Sequence, residues 1–237
     1  MTVAAHTRTD RGTHRERLVA AMAELVAEVG YPEVTVTDVV GRARVSKRTF
    51  YQHFSDREEC FLATYVALAE LPLLRIGEVI ADPAVQELGT REQIGRATGA
   101  YLEAMAERPR LTRALLTQVA STGARGRRVR REVLHRFADR LVDLSDDAHA
   151  RHPEVRPMTR PMALAVVGGI NELVLDAVDR DDGPAGPVEG GPGAEEGRSV
   201  LGPVLGSEGP AWGDAGALTE LASTVTDLVV AVLTAPS

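Results

Sequence analysis

Three helix-start signals crowd between Thr35 and Glu58, and they constrain the fold more than any other feature of this sequence. Thr35 and Asp38 form the first: a Thr hydroxyl can accept from free helix amides, and an acid three residues on favours the positive helix end. Ser46 supplies the second, and Ser55 with Glu58 reads as a full capping box for a third helix. Starts this close together permit only short helices joined by tight turns. Upstream, Leu18, Met22, Leu25, Val26 and Val29 recur at helical spacing, and Gly30 stands where a C-capping glycine belongs. The pattern predicts a helix ending near Val29, a short helix over about Val36–Ala43 burying Val36, Val39 and Val40, a turn at Arg44 and Val45, and a second short helix from Ser46 through about Phe54. Three such helices in about 45 residues describe a helix-turn-helix headpiece.

The same helical period continues to the end of the chain. Phe61, Leu62, Tyr65, Val66 and Leu68 predict a long helix that Pro72 kinks or ends. Thr90 and Gln93 read as another capping box. Pro109 suits a first helical turn, Gly123 breaks the helix after it, and Val129 to Leu144 mark a longer helix ending near His149. Pro153 and Pro157 bracket a loop before a very apolar helix, begun by Thr159 and Pro161, that runs to about Val178. Residues 181–216 hold 11 of the 22 glycines and predict a disordered loop ahead of a last helix over about Ala217–Leu233. Only 4% of the residues are aromatic, so Leu, Val and Ala must fill the core. The fold class is all-α: a three-helix head on a larger body, about nine helices in all. The expected division is a flexible tail at 1–12, a helix-turn-helix domain at 13–59 and a larger helical domain at 60–237.

A formal net charge of −7 argues against nucleic acid as a partner, because phosphate contact needs a basic surface. Local charge reverses the argument. No acid occurs from Val45 to Ser55. On a helix through this segment Phe50 and Phe54 face inward, four residues apart. Lys47, Arg48, Thr49, Tyr51, Gln52 and His53 remain outside, all cations, hydroxyls, amides or imidazole. Arg and Lys can reach guanine O6 and N7, Gln can pair with adenine, and hydroxyls suit phosphate oxygens. Arg42 and Arg44 add positive charge nearby. An ordinary solvated polar face is the competing account of the same residues.

The run Gly30-Tyr31, Val34-Thr35-Val36, Asp38-Val39, Ala43-Arg44-Val45-Ser46, Thr49-Phe50-Tyr51-Gln52-His53-Phe54 and Arg57-Glu58-Glu59 resembles the N-terminal signature of the TetR family of regulators, over roughly residues 14–65. The resemblance implies a dimeric regulator that holds double-stranded operator DNA through the second and third short helices and often releases it when a small molecule binds the body. It implies DNA contacts at Thr35, Ser46, Lys47, Thr49, Tyr51 and His53, and a phosphate contact at Arg57. Thr37, Arg44, Arg48 and Gln52 complete the candidate set. Arg44 departs from the family, which usually has a small residue, often glycine, in the turn.

The resemblance also implies a homodimer through the helices at about 159–180 and 217–233, where Gly168 and Gly169 allow close helix approach. The effector cavity is expected in the body, with Tyr101, Met105, Leu116, Phe137 and Glu172 as candidate linings and a neutral or cationic apolar molecule as the ligand. The basic run Arg125, Arg127, Arg128, Arg130 and Arg131 reads as a solvated helix start that partly pairs nearby acids. Glu132 and His135, and His149 and His152, lack the further ligands that a metal site needs. No nucleophile elbow, phosphate loop or dinucleotide fingerprint is present, so neither an enzyme nor a cofactor is expected. The lone Cys60 has no partner for an intramolecular disulfide, no secretory leader is read, and the apolar runs look too short for a bilayer. A cytoplasmic regulator that does not engage a membrane is the expectation.

Overall fold

The computed structural model describes residues 3–181 and 215–234, which form ten α-helices and no strand. In order these are α1 (Val3–Val29), α2 (Val36–Ala43), α3 (Lys47–His53), α4 (Arg57–Ala81), α5 (Pro83–Gln86), α6 (Thr90–Ala106), α7 (Pro109–Gln118), α8 (Ala124–Arg151), α9 (Arg160–Asp181) and α10 (Ala215–Thr234). The loop expected at 181–216 lies almost wholly outside the described residues.

Apolar spacing on α1 to α3 builds the head. Leu18, Met22 and Val26 of α1 meet Val39 of α2, Phe50 of α3 and Phe54 just after it, all buried. This core does not stop at the head: Phe61 of α4, Leu111 and Leu115 of α7, and Val133 of α8 belong to it. Head and body therefore share apolar burial, the main stabilising term available to a chain poor in aromatics. A second core joins α6, α8, α9 and α10 around Leu102, Ala138, Val174 and Val225. The segment between α8 and α9 is pinned to it by buried Val155 and Met158 and by a backbone bond from Arg156 N to Leu233 O of 2.8 Å.

Several local expectations change. Helix α1 takes in most of the segment expected as a tail, because no proline interrupts it and a helix nucleated by packed residues propagates at little cost. Val29 is 55% exposed, since it sits past the point where α1 leaves the core. Pro72 does not end α4; it is buried inside the helix, which continues to Ala81. The cap of α4 is Asp56, one residue later than expected, with its carboxylate accepting from Glu59 N at 2.6 Å. Glu59 reaches back to accept from Ser55 N at 2.7 Å, so the reciprocal pair exists in a shifted register. Thr90 and Gln93 form no capping box: Gly89 is the cap, and the Gln93 side-chain amide donates instead to Leu88 O at 2.7 Å.

Three helices, α4, α9 and α10, are long and apolar enough by length and composition to cross a membrane, which corrects the reading that the apolar runs are too short. Their uninterrupted runs are short, but the Ala, Gly and Thr between them keep the average high.

The start of α8 packs tightly on the turn before it. A methyl group on Gly126 would collide with Val119 O and Thr122 Oγ1. Gly126→Ala should therefore cost about 1–3 kcal/mol, the usual range for overpacking, read as a lowered denaturant midpoint. An unchanged midpoint would show that this turn yields freely.

Candidate functional site

The turn between α2 and α3 is fixed from three sides. Thr35 caps α2 in a full box: its hydroxyl accepts from Asp38 N at 3.2 Å, and Asp38 accepts from Thr35 N at 2.9 Å. Ser46 caps α3 by accepting from Thr49 N at 3.0 Å. Arg17 of α1 closes the third side by donating to the carbonyls of Ala43 and Arg44, which end α2 and have no intrahelical donor. Sequence reading missed Arg17, whose polar side chain carried no positional signal.

Arg44 is the one non-glycine residue with positive φ among the described residues, at φ 52 and ψ 47. A left-handed conformation costs an L-residue with a Cβ about 1–2 kcal/mol. Arg44→Gly should remove that strain and raise stability by up to about 1 kcal/mol, offset in part by glycine's larger unfolded entropy. A thermal melt checks this; a lowered Tm would mean that the arginine side chain contributes more than the strain costs.

Helix α3 packs on α1 and α2 through fully buried Phe50. Its other side faces outward: Lys47, Arg48, Tyr51 and Gln52 are exposed, and Thr49 and His53 are half-buried. Tyr51, 58% exposed, is held at its ring edge by Phe50, with centroids 5.3 Å apart. Thr35, Thr37, Arg44 and Ser46 are also exposed on the neighbouring turn and on α2. The face therefore combines fixed cations with hydroxyl and amide groups on one short helix.

Two predicted cations have partners within the chain. Arg42 is bound to Glu28 at 2.7 Å and Glu24 at 3.0 Å, so α1 neutralises it. Arg57 donates to Pro32 O at 3.1 Å and to Val34 O, and lies over the Tyr31 ring at 4.5 Å. It clamps the 3-10 turn at Tyr31–Glu33 to α4, which a sequence pattern cannot distinguish from a phosphate-binding arginine.

Three carboxylates of the head are held below the ordinary carboxylate range: Glu28 by its hydrogen bond to Arg42, Asp38 by those from Thr35, and Glu59 by those from Ser55. A depressed folded-state pKa contributes stability above the unfolded pKa and loses it as pH falls. Melting temperature should thus hold near pH 7 and decline as the pH drops below about 4; a flat profile from pH 7 to 3 would contradict this. Cys60 lies in the head core, where burial pushes its thiol up to about 12, so it is a small core residue without thiolate character.

The body holds two adjoining chambers. The larger, about 130 Å³, lies among α4, α6, α8, α9 and α10. The smaller, about 90 Å³, lies toward α7. Tyr101 and Phe137 line both, with their rings edge to face at 6.0 Å. Met105 and Leu116 line the smaller chamber. Glu172 is exposed on α9 and lines neither; its neighbour Asn171, which accepts from the Tyr101 hydroxyl at 3.3 Å, lines the smaller one. On the exposed side of α9 the Glu172 carboxylate keeps its hydration, whereas the Asn171 amide on the wall has the tyrosine hydroxyl as its partner.

Residues 18–64 match the family model described as bacterial regulatory proteins, tetR family. The N-terminal head is thus similar to that of the TetR family, over about a fifth of the chain. A Bacillus subtilis protein, the uncharacterized HTH-type transcriptional regulator YdeS, is 35% identical over 75 residues, which cover 31% of this chain and 37% of that protein. The match thus spans little more than a third of that relative's length. Resemblance over nearly the whole chain comes from solved structures. The regulator FadR from Bacillus subtilis, in complex with stearoyl-CoA, superposes with a TM-score of 0.64 at 16% identity, covering 92% of this chain and 98% of its own. A regulator from Rhodococcus sp. Rha1 gives 0.59 at 20% identity over 94% and 99% of the two chains. At these identities the likeness is one of fold, and it takes in the body helices as well as the head.

Other motifs have structural employment. Arg125 bonds Asp56 at 3.3 Å and lies 3.7 Å from Glu59, joining α8 to the cap of α4. His149 Nδ1 meets Val155 O at 2.6 Å. Among the described residues no three His, Cys, Asp or Glu side chains cluster as metal ligands would.

Proposed function

We propose that this chain is a dimeric, ligand-responsive transcription regulator of the cytoplasm that reads a palindromic operator with α3 and releases it when a small molecule occupies the body. It acts by binding and carries out no catalysis. The single observation that carries the reading is the exposed Lys47, Arg48, Tyr51 and Gln52 on a helix locked in place by Phe50 and the Ser46 cap. A helix of this size fits the major groove, where such side chains can reach base edges and phosphates. Thr35, Thr37, Arg44, Ser46, Thr49 and His53 flank it as further contacts.

Dimerisation through α9 and α10 is supported by apolar surface left uncovered. The stretches Arg160–Arg180 and Ala217–Thr234 are apolar along their length, yet 28% of the most apolar window of each is buried within the chain. A Cβ at Gly168 would meet nothing, so a second helix could approach closely there. A two-fold dimer presents two α3 helices to two half-sites. For the effector, the apolar chambers and the stearoyl-CoA complex of the Bacillus subtilis FadR both favour a molecule with a hydrocarbon portion.

The test is the salt dependence of binding to operator-bearing duplex from the chain's own regulatory region. Because phosphate contacts release counterions, log K should fall steeply and linearly with log salt. Binding that is absent at low salt, or indifferent to salt, would overturn the reading.

A further inference from the structure

The larger chamber has a one-sided charge pattern. None of its lining residues is acidic, and its two charged residues, Arg140 and Arg151, are both cations on α8. They stand about three turns apart, about 16 Å along the helix axis. Arg140 and Leu73 also line a groove on the outside of α4, together with Glu70, Leu74, Gly77 and Glu78. Arg140 therefore stands where the chamber reaches the surface. Gly77 leaves room for it there, since even a Cβ would come within 3.9 Å of Arg140 Nη2.

Arg140 differs from the arginines around the body helices that pair with acids. Arg75, Arg91, Arg113, Arg136 and Arg160 each hold a carboxylate. Glu70, beside Arg140 in the groove, is taken by Arg136 at 2.9 Å. Among the described residues, none pairs with Arg140. Glu78 lines the same groove but forms no ion pair with Arg140, so the half-buried guanidinium over the apolar chamber loses hydration with no carboxylate bonded to it, and an arriving anion would replace what it lost. The guanidinium fork matches a carboxylate through two parallel hydrogen bonds.

We infer that the body chambers bind an anionic amphiphile, a carboxylate head on Arg140 with an unbranched hydrocarbon tail that starts in the larger chamber and passes the Tyr101–Phe137 pair into the smaller one. The inference rests on the reading of this chamber as the effector site, and it replaces the neutral or cationic ligand expected from composition. A cationic molecule would face Arg140 and Arg151 with no acid to receive it. Chamber size sets the tail. At about 130 Å³ it is of the order of an apolar cavity that holds benzene. A longer tail must pass the Tyr101–Phe137 pair into the second chamber, so medium chains should bind better than the longest ones.

Calorimetric titration of the full chain with decanoate, decan-1-ol and decyltrimethylammonium, each below its micellar concentration, tests this. Decanoate should bind about tenfold or more tighter than the alcohol, and the ammonium should bind weakest. Arg140→Gln should lose that advantage while keeping its affinity for decanol, which also reports that the chamber is folded. Arg140→Lys should recover part of it, and Arg151→Gln should change it little. Equal affinity for acid and alcohol, no binding of decanoate, or an Arg140→Gln chain that binds decanoate as the wild type does would overturn the proposal. Duplex binding measured on the same samples separates this failure from that of the regulator reading: a chain that binds duplex but not decanoate remains a regulator with a different ligand.

Discussion

A chain carrying Lys47→Ala and Tyr51→Ala should keep its fold and lose sequence-specific DNA binding about a hundredfold or more. Both side chains are exposed on the outer face of α3, and neither belongs to a core cluster. Surface changes away from caps and cores usually alter stability by less than about 0.5 kcal/mol, so the melting curve should scarcely move. Each lost contact to a base edge or phosphate is worth about 1–3 kcal/mol, and two together account for the expected loss. A mobility-shift titration beside a thermal melt reads both quantities. Full retention of specific binding would remove α3 as the reading helix, and a collapsed melt would show that Tyr51 supports the head through its contact with Phe50.

Phe50→Ala should have the opposite signature, strongly destabilising the fold and with it everything the head does. Phe50 is fully buried and touches Phe54, with centroids 5.7 Å apart, in the core shared by α1, α2 and α4. Truncating a core phenylalanine costs about 3–5 kcal/mol, the lost transfer energy plus the cavity left behind. A domain's whole stability is about 5–15 kcal/mol, so the variant should show a strongly lowered urea midpoint. Because the head core runs into α7 and α8, the body should feel the loss as well. A drop of less than about 1 kcal/mol would mean that neighbouring side chains collapse into the space.

Much of the head was legible because its local signals agree. The Thr35 box, the Ser46 cap, the Gly30 stop and the Phe50–Phe54 spacing all stand as the sequence predicts. Each is a rule about residues at most four apart, and a short helix obeys few others. The failures have the same origin. Ser55 with Glu58 and Asp56 with Glu59 are equally plausible boxes on paper; the register that Phe61 and Cys60 need to reach the head core selects the second. Thr90 and Gln93 fit the pattern, but the Gln93 amide finds carbonyls at the end of the α5 turn.

Long-range pairing was invisible throughout. Nothing local says that Arg42 meets Glu24 and Glu28, that Arg57 clamps Pro32 and Val34, or that Arg17 completes the end of α2. The cavity shows the same division. Tyr101, Met105, Leu116 and Phe137 could be picked as large apolar residues on helices of the body, and they do line the chambers. Glu172 could not be rejected, nor Arg140 found, without knowing which turn of α8 or α9 faces inward.

The most direct measurement is selection of binding sites from a random duplex pool by the purified full chain. The account predicts enrichment of a two-fold symmetric sequence with half-sites about one helical turn apart, one for each α3 of a dimer. Failure to enrich any sequence at low salt, where phosphate contacts are strongest, would contradict it.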